Sequence, residues 1–538
     1  MNAASSSPVV NAPDAQRPIR QHRQDVLSVL ARKHPDKPAV IDDRPDGTVE
    51  SVTFAQFNRR VNKLANALLA GGLRAGERVV WCSRNSTEPL ILQQAARKLQ
   101  AQSVALHPRT TRGEATLILN AAKAAILFVE PELAATFAGI ENETDVRFVV
   151  SFGDSAAAGV RPAVELTAGA SDADPDAVPG DPYVSTISFT SGTTGKPKGV
   201  IRGPMPPGSS EARLLDGIWG PDHHVYLTSG SWSHGGPGGH GMRALLRGDT
   251  VIMQRRFDPE DWLRLVDKHK VSYSYCAPTI VRQVCNLPDE VKRRYDISSI
   301  RVIFAGAAKW SYALKLAYRR DFPENTLWEV YGSTELASNT VLRPDEHWGK
   351  PESCGRAVDG VDIALVDENK EVVTKPYERG ILYAKCDSML ATYDGDDQAF
   401  QEASWGDGYF TVGDIAYFDE DGFYYICDRQ KDMIVSGGVN IYPAEIEAAL
   451  DSCPGVFESA VIGIPDPDWG ELVHALVIAR EGAEVTEQGI IDYCREHLSG
   501  HKVPRSIEFV EDFPRTPVGK ILKRVLRQPY WADSGRSV

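Results

Sequence analysis

The sequence predicts an α/β protein. It has a large N-terminal domain of several subdomains built on mostly parallel sheets, a small β-subdomain, and a small α+β domain at the C-terminus. Three observations predict this. The chain has 538 residues, more than a single core accommodates. From about residue 20, helical and strand-like patterns alternate, as they do where crossover helices join parallel strands. Near Arg429 the texture changes, and the last hundred or so residues carry strands and helices of their own.

The elements follow in order. Residues 1–18 are rich in Ala, Ser, Pro and Asn, have no basic segment leading into an apolar one, and read as a disordered tail rather than a signal peptide. Thr53 caps a predicted helix whose Phe54, Phe57, Val61, Leu64 and Leu68 share one face, and Gly71 and Gly72 stop it. Residues 79–82, 104–106 and 125–129 are short apolar runs of the kind that form buried strands, with a helix through 90–99 between the first two. Residues 167–182, rich in Ala, Asp, Gly and Pro, form a surface connection. A strand at 185–189 then delivers a Gly/Thr-rich loop. Residues 361–384 hold short strands broken by Asp, Glu and Gly, the small β-subdomain. Beyond Arg429, strands are expected at 459–464, 473–478 and 506–510 and helices at 443–450 and 489–498. There are no internal repeats.

Bulk properties narrow the function classes. The net charge of -14 argues against a broad nucleic-acid-binding face, which needs a basic surface, but leaves room for a local anion site. No apolar run approaches the roughly 20 residues that span a bilayer. The eight cysteines form no CxxC pair, so zinc is not expected and free thiols suit a reducing cytoplasm.

The strongest chemical signal is the loop Thr190, Ser191, Gly192, Thr193, Thr194, Gly195, Lys196, Pro197, Lys198, Gly199. Its glycines let the backbone bend and bring N–H groups close to a ligand. Its hydroxyls and two lysines suit phosphoryl oxygens. It is not a Walker A loop, because only Thr193 and Thr194 separate Gly192 from Gly195 where that motif places four residues. Further along, the apolar run 302–305 enters the small-residue turn Gly306, Ala307, Ala308, which a flat ring could approach closely. Lys309 follows it. Tyr331, Gly332, Ser333, Thr334 and Glu335 offer an aromatic face, a hydroxyl for a phosphate oxygen and a carboxylate for Mg²⁺. The run Tyr409 to Asp414 ends on a carboxylate that could accept from two ribose hydroxyls.

In this combination the sequence resembles the adenylate-forming superfamily, which includes acyl-CoA synthetases, the adenylation domains of nonribosomal peptide synthetases and firefly luciferase. It is most like a bacterial acyl-CoA synthetase of the fatty-acid–CoA ligase type. The resemblance spans roughly residues 20–525. It implies a nucleotide site: the 190–199 loop on the β- and γ-phosphates, Gly306 to Ala308 and Tyr331 on adenine, Asp414 on ribose, Arg429 on ribose or phosphate. Val412 replaces the family's more usual Thr before Gly413. Lys520, in the run Pro514-Arg515-Thr516-Pro517-Val518-Gly519-Lys520, would be the lysine of the adenylation step. Lys431 would be the hinge of a mobile C-terminal domain. Gly437 and Gly438 would line a pantetheine path, and His234 would border the acid pocket. The implied division is 19–428 for the adenylation domain, 429–433 for the hinge and 434–538 for the mobile domain. The implied reaction is ATP- and Mg²⁺-dependent conversion of a carboxylic acid to acyl-AMP, then transfer to CoA. Transfer to a carrier-protein thiol or an amine is the alternative, and a non-catalytic nucleotide-binding protein a remote one. Candidate pocket segments 232–239, 305–308 and 333–340 mix small and aromatic residues, which favours an apolar or ring-containing acid. A monomer or homodimer is expected.

Overall fold

The computed structural model describes residues 25–154, 157–175, 186–191, 197–202, 208–394, 396–515 and 521–532. Its architecture is α/β, with a large N-terminal part holding several sheets and a smaller C-terminal part. A five-stranded, all-parallel sheet runs in the order Gln102–Leu106, Arg78–Cys82, Ala124–Val129, Val149–Ser151, Val160–Pro162. All six residues of Ala124–Val129 are buried, as befits a strand covered on both faces. A second, nine-stranded sheet has a parallel centre made of Pro38–Asp43, Thr250–Met253, Val225–Thr228, Tyr273–Cys276, Val302–Ala305 and Leu327–Ser333. Antiparallel strands close both of its edges.

The local causes are those read from the sequence. Thr53 caps the helix Phe54–Ala70 by accepting from Gln56 N at 3.3 Å, while the Gln56 side chain accepts from Thr53 N at 2.9 Å. This reciprocal box satisfies two otherwise orphaned amides. The expected stripe of Phe54, Phe57, Val61, Leu64 and Leu68 is buried. Gly72, at φ +83°, turns the chain out of the helix.

A small three-stranded sheet packs against the five-stranded one. The hairpin Thr186–Ser191 with Pro197–Arg202 is joined by a strand from far downstream, Leu390–Tyr393. The predicted β-subdomain is an antiparallel six-stranded sheet that reaches further than the sequence indicated, from Asp362–Val366 to Tyr424–Arg429. The C-terminal part pairs the long strands Val456–Asp466 and Gly470–Ala479 beside the short hairpin Ile434–Ser436 and Val439–Ile441, with Ser506–Phe509 parallel at one edge. Its apolar clusters draw only on residues 434–530, and those of the N-terminal part on residues 27–426, so each part has its own core. Among the described residues no helix is long and apolar enough to cross a membrane.

Candidate active site

His234, Gly306 and Glu335 follow central parallel strands at their C-terminal ends, the edge at which ligands bind in open α/β sheets. The phosphate loop is held at its outgoing side. Residues 192–196 and the side chains of Thr190 and Ser191 lie outside the described residues. Lys198 is within them. Its Nζ stands 5.2 Å from the centre of the Tyr393 ring and 3.7 Å from Asp396 Oδ2. At Gly199 a Cβ would come within 2.9 Å of Asp394 Cβ, and Asp394 N donates to Gly199 O at 2.7 Å. Asp394 in turn receives both arms of Arg78, at 2.7 and 3.1 Å. A bidentate Arg–carboxylate pair fixes orientation as well as distance. The first residue of a strand in the five-stranded sheet thereby braces the exit of the phosphate loop.

Glu335 meets the same spot. The hydroxyl of Tyr393 is pushed up by burial and then by the charges of Glu335 and Asp396. Lys198, Tyr393, Glu335 and Asp396 are therefore electrostatic neighbours. Glu335 and Leu336 donate their amides to Ser333 Oγ at 3.2 and 3.1 Å, which shapes the turn after Leu327–Ser333. Gly332 admits no side chain, since a Cβ there would overlap the Ala337 carbonyl. Ala337 takes a left-handed φ of +60°, a costly backbone state of the type that collects at functional sites.

The candidate nucleoside contacts form a second group. Tyr331 Oη donates to Asp414 Oδ2 at 2.7 Å, and Arg429 Nε lies 3.3 Å from Asp414 Oδ1. Burial and the Asp414 carboxylate both push the Tyr331 hydroxyl up, so it stays a donor. Asp414 keeps further lone pairs for hydroxyl donors. Gly413 N bonds Thr411 Oγ1 at 3.0 Å and Gly413 O receives Gln430 N at 2.8 Å, while Val412 packs on the core. At the Gly306 turn, Ala307 adopts φ +73°, and Ala307 and Ala308 are exposed. Lys309, the charged residue that follows, pairs with Glu352 at 3.0 Å.

His234 immediately precedes the Gly-rich helix Gly235–Arg247 without a side-chain capping bond, and its ring stacks on His107 at 5.6 Å and 23°. Its Nε2 is buried and has no hydrogen-bond partner among the described residues. Burial, aided by His107, holds its pKa down to about 4, and burial followed by Arg109 does the same for His107. Both rings are neutral at ordinary pH. His107 escaped sequence reasoning because it lies 127 residues from its partner, and no local pattern marks it. Tyr393, Asp394 and Asp396 escaped it for the same reason.

Towards the C-terminus, burial and then Arg429 push the Lys431 ammonium down. The carbonyls of Lys431 and Asp432 accept from Arg527 at 2.9 and 3.0 Å. Asp451 faces Arg282 of the N-terminal part at 3.5 Å. Gly437 and Gly438, at φ +57° and +79°, make the turn of the hairpin beside Trp469. This hairpin displays Val435 and Val439, which are exposed. Lys520 lies outside the described residues.

The donor set suits Mg²⁺ bound largely through substrate phosphates. Among the described residues no three His, Cys, Asp or Glu side chains cluster as a metal cage, whereas Mg²⁺ commonly takes one or two carboxylates with phosphate oxygens and waters. Glu335, half-buried and within electrostatic reach of Tyr393 beside the phosphate-loop strand, would offer such a carboxylate.

Comparison with known proteins identifies the family. The model of the family "AMP-binding enzyme" matches residues 27–394, and that of "AMP-binding enzyme C-terminal domain" matches residues 445–520. A 3-[(3aS,4S,7aS)-7a-methyl-1,5-dioxo-octahydro-1H-inden-4-yl]propanoyl:CoA ligase of Rhodococcus jostii is 33% identical over 90% of this chain and 94% of its own. A feruloyl-CoA synthase of Amycolatopsis is 33% identical over 93% and 97%. The structure of the amide bond synthetase McbA from Marinactinospora thermotolerans superposes with a TM-score of 0.80 at 26% identity, covering 94% of this chain and all of that one. The chain belongs to the AMP-binding enzyme family, within the adenylate-forming superfamily that its sequence resembles.

Proposed function

We propose that this chain is an AMP-forming acid–CoA ligase that joins a carboxylic acid to CoA through an acyl-adenylate. One observation carries the reading: Lys198 and Tyr393 meet at the phosphate-loop strand within electrostatic reach of Glu335, while Tyr331 of the nine-stranded sheet bonds Asp414 of the six-stranded sheet, which Arg429 flanks, a set of groups suited to cradle a nucleoside. A carboxylate oxygen attacks the α-phosphate of ATP, and pyrophosphate leaves. Charge builds on phosphoryl oxygens in that step, and preorganised donors and cations stabilise it. Lys198 and the loop around it hold the leaving phosphates, and Glu335 would hold Mg²⁺, whose charge would offset that of the phosphates. Asp414 and Tyr331 fix the nucleoside so that the α-phosphate meets the acid. Lys520 bridges acid and α-phosphate. The second step needs a thiol at the acyl carbonyl, where Lys520 has no task. Rotation about Lys431 then brings Gly437 and Gly438 to the pantetheine arm, a domain movement of an ordinary kind.

The division 19–428, 429–433 and 434–538 is part of this reading, as is a cytoplasmic setting. The eight cysteines are free thiols, and five carry thiols that burial holds well above their ordinary pKa, so they are inert rather than catalytic. A specific observation keeps amine transfer in view: the amide bond synthetase covers nearly the whole chain.

The test is a coupled assay of pyrophosphate and thioester over a panel of acids, with CoA or an amine as acceptor. Both products are expected only with CoA. CoA-independent amide formation at comparable rate would replace the acceptor. Lys520→Ala should abolish pyrophosphate release and leave thioester formation from supplied acyl-AMP largely intact; equal loss of both would end the split-role mechanism.

A further inference from the structure

The first candidate pocket segment begins the Gly-rich helix Gly235–Arg247. That helix follows the strand Val225–Thr228, so its first turn lies at the C-terminal end of the sheet, level with Gly306. It then runs back along the sheet face. Gly236 and His240 lie one turn apart on one side of it. On the facing strand Tyr273–Cys276, Tyr275 is nearest the nucleotide end and Tyr273 is deeper on the same face. An acyl group leaving the α-phosphate and following this gap meets Gly236 and Gly306 first, then Tyr275, then His240.

Tyr275 fills the first level. A Cβ on Gly236 would come within 2.5 Å of its ring, and a Cβ on Gly306 within 2.8 Å of its hydroxyl. Both positions are glycine because the tyrosine occupies the space a side chain would need. Behind it the gap is closed by rings. His240 stands 5.1 Å from Tyr275 and 4.3 Å from Phe304, centre to centre, and its Nδ1 is hydrogen-bonded to the Tyr273 hydroxyl. Tyr226 and Trp219 pack against Tyr273 at 5.1 and 5.2 Å. Tyr275 and His240 are only partly buried, whereas Phe304, Tyr273, Tyr226 and Trp219 are buried. The first two thus form the wall that a ligand touches. Among the described residues, the others pack directly behind them, ring against ring.

We infer that the acid is compact and ring-bearing, and that Tyr275, backed by His240 and Phe304, is the specificity-determining floor that excludes long unbranched acyl chains. Flat rings gain from offset or edge contacts with such a floor. A long chain has nowhere to extend without displacing packed aromatic side chains.

This rests on the acid-ligase reading, and the experiment separates the two. Pyrophosphate release and CoA-thioester formation are measured for the full chain with benzoic, cinnamic, octanoic and hexadecanoic acids. The better ring acid is expected to exceed hexadecanoic acid in kcat/KM by more than about tenfold, the scale on which a pocket rejects misfit apolar groups. Tyr275→Ala, or the milder Tyr275→Leu should the first fail to fold, is expected to shrink that ratio by more than about tenfold through gain on the long acid, with KM for ATP unchanged. A wild-type ratio below that margin, or a ratio unmoved in a folded Tyr275 variant, overturns the inference while leaving the ligase reading intact. Absence of pyrophosphate release with every acid overturns the ligase reading itself.

Discussion

Single residues set the charge state of the site. His234 and His107 stack as neutral rings because burial makes their cations costly. Their folded pKa values, about 4, lie below that of a free imidazole, near 6.5. Between these values the unfolded chain binds more protons, so stability rises with pH across that window and falls as pH drops through it. The melting temperature should therefore decline from about pH 6.5 towards pH 4, and the decline should be shallower in His107→Asn and in His234→Gln, as scanning calorimetry over a pH series would show. Equal slopes in all three proteins would assign the acid sensitivity elsewhere. This pair also shows where reading the sequence stops. His234 is visible in a Gly-rich run that resembles a family pattern, whereas His107 gains meaning only when two distant strand ends meet. Glu335, Asp414 and Tyr331 are legible because each sits in a short run whose chemistry is local.

At the scale of elements, legibility follows periodicity. The stripe on Phe54–Ala70 repeats every three or four residues and its cap is reciprocal, so sequence and structure coincide residue by residue. Phe57 is fully buried in the largest apolar cluster. Phe57→Ala should lower unfolding free energy by about 3–5 kcal/mol, and Thr53→Ala by about 1 kcal/mol, both readable from denaturant midpoints. A Phe57 loss below the cap's would mean that the helix contributes little to the core. The small β-subdomain was only partly visible, because two-residue strands such as Ser404–Trp405 and Tyr409–Phe410 are too short to show alternation. The strand Leu327–Ser333 has support the sequence does not reveal: Glu329 forms an ion pair with Lys315 at 2.6 Å, both buried.

Across the whole molecule, the contacts that join the two parts bear on the movement proposed for the C-terminal part. Arg527, on the last helix, grips the carbonyls of Lys431 and Asp432, and Asp428 accepts the amide of Ala444 at 2.8 Å. Hydrogen bonds from a charged donor contribute about 1.5–3 kcal/mol each. Arg527→Ala should therefore loosen the pivot. Multiple-turnover thioester formation is expected to fall by about tenfold, a loss of about 1.4 kcal/mol. Single-turnover acyl-AMP formation, followed by rapid quench, should keep its rate. Parallel losses in both would point to general destabilisation rather than to the pivot. Lys431 stands in a run that resembles the family's hinge, whereas Arg527 carries no motif, so its grip on that run is visible only in the structure.

The brace from Arg78 through Asp394 to Gly199 has a consequence for how the phosphate loop is regarded. Ten consecutive residues with so distinct a signature invite treatment as a portable cassette. Yet the outgoing strand is aligned by a carboxylate 195 positions downstream, itself set by a guanidinium 316 positions away from it. Transplanting residues 190–199 into another scaffold would carry the letters without the struts. Engineers seeking the grip proposed for this loop would have to move a piece of architecture, and insertions near Arg78 or Asp394 would disturb it as surely as changes within the loop.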